Sequence, residues 1–139
     1  TADCLPILLC DRAGTRIAAA HAGWRGLCDG VIASTLAALA VPGADLCAWI
    51  GPGIGCAAYA VGPELRERFM AVDADAQACF IRRDDSWYAD LAGLARQQLT
   101  RAGVRDITDS GLCTHADTRF FSHRRDGVTG RFARLIWIS

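Results

Sequence analysis

Residues 5–20 read LPILLCDRAGTRIAAA, and this stretch predicts the first structural unit of the chain. Two short apolar runs, residues 5–10 and 15–20, are separated by DRAG, in which Asp and Gly favour a tight turn. The pattern predicts an antiparallel β-hairpin. In such a hairpin Cys4, which enters the first strand, lies beside His21, which leaves the second.

The rest of the chain alternates helical and strand-like segments. Apolar spacing, turn residues and helix-start signals predict helices over residues 27–40, 63–70 and 87–102, and strands over residues 46–50, 78–83, 104–113 and 131–138. This alternation predicts an α/β fold, and the hairpin adds antiparallel pairing, so we expect mixed β-sheets. With no repeat or linker, residues 1–139 are expected to form a single domain.

Composition excludes several classes of function. Apolar residues make up 52% of the chain, and the formal net charge is zero with 15 basic and 15 acidic residues. A neutral chain lacks the broad positive surface that nucleic acids and anionic membranes require, so neither is expected as a partner. No apolar run is long enough to span a bilayer. Small anions stay open as ligands because they need only a local pocket.

The cysteines indicate the cellular compartment of the protein, and the start of the chain indicates the extent of its domain. There are seven Cys, an odd number, with no C-x-x-C pair and no secretory segment, which favours free thiols in a reducing cytoplasm. Thr1 opens directly into a strand-like run. We therefore expect residues 1–139 to be the C-terminal portion of a longer domain.

Cys4 and His21 allow two chemical interpretations and one structural interpretation. A thiolate and an imidazole can both ligate Zn²⁺, although two ligands do not complete a site. Alternatively, the imidazole can activate the thiol as a nucleophile. The third interpretation is a cysteine packed as a small apolar side chain beside a hydrogen-bonded histidine.

Two glycine-containing segments follow predicted strands. In HAGWRG, residues 21–26, Gly23 allows close approach of the backbone to a ligand, and Arg25 at the following helix start favours an anion. In GPGIG, residues 51–55, Gly51 follows a strand at the end where α/β sheets collect ligands. For both segments the alternative is a simple turn.

A third segment, FFSHRRDGVTGR over residues 120–131, concentrates arginines. Arg124, Arg125 and Arg131 surround two glycines, and such clusters bind phosphate or carboxylate when they converge. The alternative is a charged hairpin with solvated side chains. His115 and His123 are interpreted as structural rather than ligating.

Taken together, TADCLPILL, HAGWRG, WIGPGIG followed by YAVG, and CT with FFSHRRDG and TGR resemble one family over nearly the whole chain. It is the YfiH/laccase-domain family, labelled multicopper polyphenol oxidoreductase and also described as purine nucleoside phosphorylase. The resemblance implies a layered α/β/β/α fold, similar to that of bacterial toxin deamidases with a Cys–His site. One departure is His123, where the family pattern has Tyr.

The resemblance also implies a metal site. It implies Zn²⁺ held by Cys4 and His21, with copper as the alternative metal. The third ligand it implies is a histidine in a His-Gly motif upstream of TADC, and this sequence lacks that motif. Asp3, beside Cys4, is expected to carry a proton or to hold a metal ligand in place.

The implied activity is phosphorolysis of adenosine, inosine and methylthioadenosine, together with deamination of adenosine. The partners are then a purine nucleoside and phosphate, and Arg25 is expected to orient phosphate at the ribose C1. Contacts to substrate or phosphate are expected from Gly23, Arg25, Gly51, Arg124 and Arg125. Three rivals remain: a copper-dependent polyphenol oxidase, a hydrolase with Cys4 as nucleophile, and an inactive remnant. The sequence makes no prediction of oligomeric state.

Overall fold

Seven strands and five helices are present in the computed structural model, which describes all of residues 1–139. The strands are β1 Leu5–Asp11, β2 Ile17–Ala22, β3 Leu46–Ile50, β4 Ala60–Val61, β5 Phe80–Arg83, β6 Ser86–Ala89 and β7 Asp106–Asp109. The helices are α1 Trp24–Cys28, α2 Val31–Leu39, α3 Pro63–Val72, α4 Leu91–Arg101 and α5 His123–Asp126. None of these helices is both long and apolar enough to cross a lipid bilayer.

The predicted hairpin is confirmed. β1 and β2 pair antiparallel, with Leu5 opposite Ala22 and Pro6 opposite His21. The main sheet has the order β2-β1-β3-β7, with β1 antiparallel to β3 and β3 parallel to β7. A second, antiparallel sheet has the order β4-β6-β5. The main sheet is therefore mixed, and the expected α/β fold is confirmed.

Strand alternation places the core on one face of the main sheet. Leu5, Ile7 and Leu9 of β1 are at most 2% exposed, and they belong to one apolar cluster with helical residues such as Leu27 and Leu99. Burial of one such side chain stabilises the fold by about 1.5–3 kcal/mol. The helices therefore cover the inner face of the sheet and fix β1 in register.

The outer face of the main sheet carries apolar side chains that are only half-buried. Leu8, Cys10, Cys47 and Trp49 lie on this face, and Ile136 from the C-terminal segment lines the same shallow pocket. None of the residues that line this pocket belongs to a helix.

Two predicted helices begin or end differently in the structure. Residues 27–40 are not one helix, because Gly30 takes a φ of +86° and separates α1 from α2. The helix predicted over residues 87–102 begins only at Leu91, since residues 86–89 form β6. Asp90 caps the start of α4 by accepting a 2.9 Å hydrogen bond from Gly93 N.

The strand predicted over residues 131–138 is wrong. The segment is assigned to no strand, and its only backbone pairing is at Phe132, whose carbonyl and amide both bond to Thr1. An alternating apolar pattern makes a strand only where a partner strand supplies hydrogen bonds. The two other strands are shorter than predicted: residues 78–83 yield β5 and residues 104–113 yield β7.

Candidate active site

The candidate site lies at one edge of the main sheet. Because β1 is antiparallel to β2 and β3, the start of β1 meets the ends of both neighbours. The segment after β7 reaches the same edge, since Gly53 forms a bridge with Cys113. The fold therefore gathers the TADC, HAGWRG, GPGIG and CT segments in one place.

Cys4 and His21 lie on the same face at this edge. Leu5 and Ala22 are buried opposite each other, so His21, which is exposed, points to the outer face. Extending the register by one residue places Cys4 opposite Gly23, and a Cβ built on Gly23 would lie only 2.6 Å from Cys4 Sγ. Cys4 and His21 are then diagonal neighbours, typically about 7–8 Å apart at Cα. That they share one metal stays a prediction.

The donors of this chain do not complete a metal site by themselves. Cysteine and histidine are zinc donors, but a zinc site uses three or four protein ligands. No group of three His, Cys, Asp or Glu side chains in the structure is placed to hold a metal ion. Zinc at Cys4 and His21 therefore requires a donor from outside residues 1–139.

Gly23 is needed for packing against Cys4. Its φ of −79° suits any residue, so Gly23→Ala tests space rather than backbone strain. Because the new methyl would overlap Cys4 Sγ, we expect the free energy of unfolding to fall by about 1–3 kcal/mol in chemical denaturation. We also expect the alkylation rate of Cys4, read by peptide mass spectrometry, to change while that of Cys10 does not. A variant that leaves both quantities unchanged would contradict this packing.

Asp3 is buried next to Cys4, and each of its two carboxylate oxygens accepts a hydrogen bond. Its Oδ1 accepts a 2.7 Å bond from Thr114 Oγ1, and its Oδ2 accepts a 2.7 Å bond from the backbone N–H of Arg124. Of the two roles expected for Asp3, this arrangement favours holding its neighbours in place over carrying a proton. Sequence reasoning did not assign a role to Thr114, although the CT motif contains it.

Tyr59 is a second site residue that sequence reasoning did not single out. It is 8% exposed, and the Arg124 guanidinium lies 5.1 Å from its ring centroid, a cation–π contact. Burial raises the pKa of the Tyr59 phenol. Arg124 also donates a 2.9 Å bond to the carbonyl of Ala60. The sequence signal that could have identified Tyr59 was its place as the aromatic residue of YAVG, a few residues after GPGIG.

The charges around Cys4 have opposite effects on its thiol. Burial and, after it, the charge of Asp3 raise the pKa of Cys4, while Arg25 and Arg131 act in the opposite direction. Arg25 is exposed, and its guanidinium lies 4.5 Å from the ring centroid of Trp24. The ion pairs of the structure involve other arginines, so Arg25, Arg124 and Arg131 carry no carboxylate partner.

Arg125, expected to contact substrate or phosphate, makes internal contacts instead. Its guanidinium donates to the carbonyls of Thr114, His115 and Phe120 and twice to the Asp126 carboxylate. These five bonds use all five N–H donors of an arginine. In this conformation Arg125 holds the loop that carries Arg124.

Gly51 is also explained by packing. A Cβ at this position would lie 2.6 Å from the Trp49 ring and 2.7 Å from Pro6 Cγ. The glycine therefore lets these two side chains meet on the outer face of the sheet. Close approach of a ligand to Gly51 stays a prediction.

Two of the cavities in the structure differ in whether predicted site residues line them. A cavity of about 200 Å³ beneath GPGIG is lined by Asp90, Asp109 and Cys113 among others, and Gly55 N donates a 3.1 Å bond to Cys113 Sγ. An apolar cleft of about 370 Å³ lies between α1, α2, α3 and α4 and contains none of the predicted site residues. The geometry of the predicted residues therefore points to the sheet edge and not to this cleft.

Known proteins resemble this chain over its whole length. A family described as multi-copper polyphenol oxidoreductase laccase matches residues 1–139. The purine nucleoside phosphorylase YfiH of Escherichia coli (strain K12) is 53% identical over 139 residues, covering 99% of this chain and 57% of that protein. The purine nucleoside phosphorylase PA4543 of Pseudomonas aeruginosa is 50% identical over 141 residues, covering 99% and 58%.

Solved structures support the same relationship. Neisseria meningitidis protein NMB0706 has a TM-score of 0.88 at 46% identity, covering 91% of this chain and 53% of that one. Bacillus licheniformis YfiH has a TM-score of 0.84 at 32% identity, covering 91% and 51%. The chain thus spans little more than half the length of these relatives. It belongs to the YfiH/laccase-domain family.

Proposed function

We propose that the full-length protein is a purine nucleoside phosphorylase, which cleaves the bond between a purine base and ribose with inorganic phosphate. Relatives at 53% and 50% identity carry that name. The observation in this chain that carries the proposal is the set of arginines near Cys4. The charges of Arg25 and Arg131 act on the Cys4 thiol, and Arg124 lies over Tyr59. None of the three has a carboxylate partner, and a guanidinium without one suits a phosphate dianion.

The residues of this chain act by positioning and charge. Arg25 binds phosphate from the start of α1, and Arg124, held over Tyr59, contributes a second cation from the opposite segment. Phosphate must attack ribose C1 as the base leaves, so holding it in place removes entropy from the barrier. Fixed positive charge also stabilises the transition state.

We extend the proposal to zinc and to deamination of adenosine. Cys4 and His21 would supply two zinc ligands, with the third from outside residues 1–139. Bound zinc supplies a Lewis acid and lowers the pKa of a water molecule. Deamination needs water at the purine C6 and no phosphate, so it would share Cys4 and His21 but not the phosphate contact of Arg25. With seven free cysteines, we also propose a cytoplasmic location.

The rival functions have weaker support from the residues of this chain. Copper-dependent phenol oxidation at several coppers needs many imidazoles, and the chain has three His, one of which, His123, bonds through Nδ1 to the carbonyl of Gly127. A hydrolase with Cys4 as nucleophile would need no metal, so metal dependence separates it from the proposed zinc enzyme.

Phosphate dependence tests the proposed function. We expect the full-length protein to release hypoxanthine from inosine only when phosphate is present, because phosphate is the attacking group. The measurement is base release by chromatography across a phosphate titration, with phenol oxidation assayed on the same preparation as the rival activity. A rate of base release that does not depend on the phosphate concentration would overturn the proposal. Oxidation of phenols without base release would do so too.

A further inference from the structure

A buried hydrogen-bond bridge joins the start of the chain to a segment more than a hundred residues later. Thr114 is fully buried and donates from Oγ1 to Asp3 Oδ1 at 2.7 Å. The other oxygen of Asp3 accepts from the backbone N–H of Arg124 at 2.7 Å. Because the carboxylate is buried, loss of either donor would leave an unsatisfied charged oxygen.

The backbone conformation of Asp3 links this hydrogen-bond bridge to the position of Cys4. Asp3 takes a φ of +82°, a value that non-glycine residues rarely adopt and that persists only where surrounding contacts impose it. Its carbonyl accepts a 2.8 Å bond from Ile54 N, so side chain and backbone are both held. This turn leads the chain directly into Cys4, whose Sγ packs against Gly23.

Thr114 is itself fixed through its backbone. Its N–H donates to the carbonyl of Gly53 at 2.9 Å, and its carbonyl accepts from Arg125 Nη1 at 3.0 Å. Arg125 belongs to the same short helix as Arg124, which Ser122 caps. The hydroxyl of Thr114 therefore projects from a rigid frame.

We propose that the Thr114 hydroxyl is a positioning group for the site: through Asp3 it holds both Cys4 and Arg124. Its meaning for catalysis rests on the proposed function, whereas its effect on Cys4 does not. Glycine would satisfy a φ of +82° at position 3 with no buried charge. The Asp3 carboxylate has a further effect, because it links Cys4, its neighbour in the chain, to the segment that carries Arg124. The guanidinium of Arg124 lies over Tyr59.

Thr114→Val and Thr114→Ser in the full-length protein test this assignment. Valine keeps the shape and removes the hydroxyl, while serine keeps the hydroxyl. One readout is the rate at which iodoacetamide alkylates Cys4, followed by peptide mass spectrometry with Cys10 as internal reference. The other is kcat/KM for phosphorolysis of inosine.

For Thr114→Val we expect faster alkylation of Cys4 and a fall in kcat/KM of roughly 10- to 100-fold, as for loss of a hydrogen bond to a charged group. Thr114→Ser should return both quantities close to wild type. An unchanged Cys4 rate in Thr114→Val, or a serine variant no better than valine, would overturn the assignment. If the wild-type protein is active, an unchanged kcat/KM in Thr114→Val would also overturn the assignment.

Failure of the proposed function and failure of the Thr114 assignment can be told apart. If the wild-type protein shows no phosphorolysis, the proposed function fails, and the alkylation rate alone decides the role of Thr114. If Thr114→Val does not fold, Asp3→Asn replaces it, because an amide can accept from only one of the two donors. A Cys4 rate in Asp3→Asn equal to wild type would then overturn the assignment.

Discussion

Cys4→Ala in the full-length protein is expected to abolish both phosphorolysis of inosine and deamination of adenosine. Both proposed reactions use the pair of Cys4 and His21, which share the outer face at the end of the hairpin. We expect the bound zinc to fall from about one per chain to near zero, since removal of one ligand leaves the site incomplete. The measurements are base release, inosine formation and metal content on one preparation.

The matched control is Cys10→Ala. Cys10 is also half-buried and lies on the outer face of β1, but at the strand end opposite the site. We expect this variant to keep both activities and its metal. Turnover of both substrates by Cys4→Ala would remove the zinc mechanism and leave Cys4 a packing residue.

Arg25→Ala should separate the two reactions. We expect phosphorolysis to fall by about 10- to 1000-fold, comparable to losing one donor that stabilises developing charge. Deamination uses water and no phosphate, so it should fall much less. The physical basis is an exposed guanidinium with no carboxylate partner, placed one turn after the hairpin that carries His21. Both rates are measured on the same enzyme preparation, with phosphate varied in the first.

Arg105→Ala is the control for loss of a positive charge. Arg105 is exposed and forms no ion pair, but it precedes β7 and so lies at the sheet edge away from Cys4. We expect no change in either rate. Equal losses of phosphorolysis and deamination in Arg25→Ala would show that Arg25 serves the nucleoside or the fold instead of phosphate.

Local signals made part of this fold predictable. The DRAG turn set the hairpin, and the apolar run at residues 46–50 became β3 with the predicted bounds. Because hairpin register follows from the turn, the proximity of Cys4 and His21 was also accessible from sequence. A strand at residues 131–138 was not correctly predicted, since the sequence pattern does not reveal whether a partner strand is present.

The finer assignments in the site depend on tertiary contacts. Arg124 and Arg125 are adjacent and alike in sequence, yet one lies over Tyr59 and the other binds backbone carbonyls of its own loop. The bond between Thr114 and Asp3 joins residues that are 111 positions apart, so no local pattern predicts it. A sequence motif can therefore identify a group of candidate residues, but the role of each residue depends on its tertiary contacts.

The identity of the sugar product distinguishes phosphorolysis from hydrolysis of the nucleoside. Phosphorus NMR of the full-length protein with inosine and phosphate follows the phosphate itself. We expect inorganic phosphate to be consumed and ribose 1-phosphate to appear in equal amounts, matched by released hypoxanthine. Hypoxanthine release with free ribose and an unchanged phosphate signal would contradict this expectation, because the attacking group would then be water.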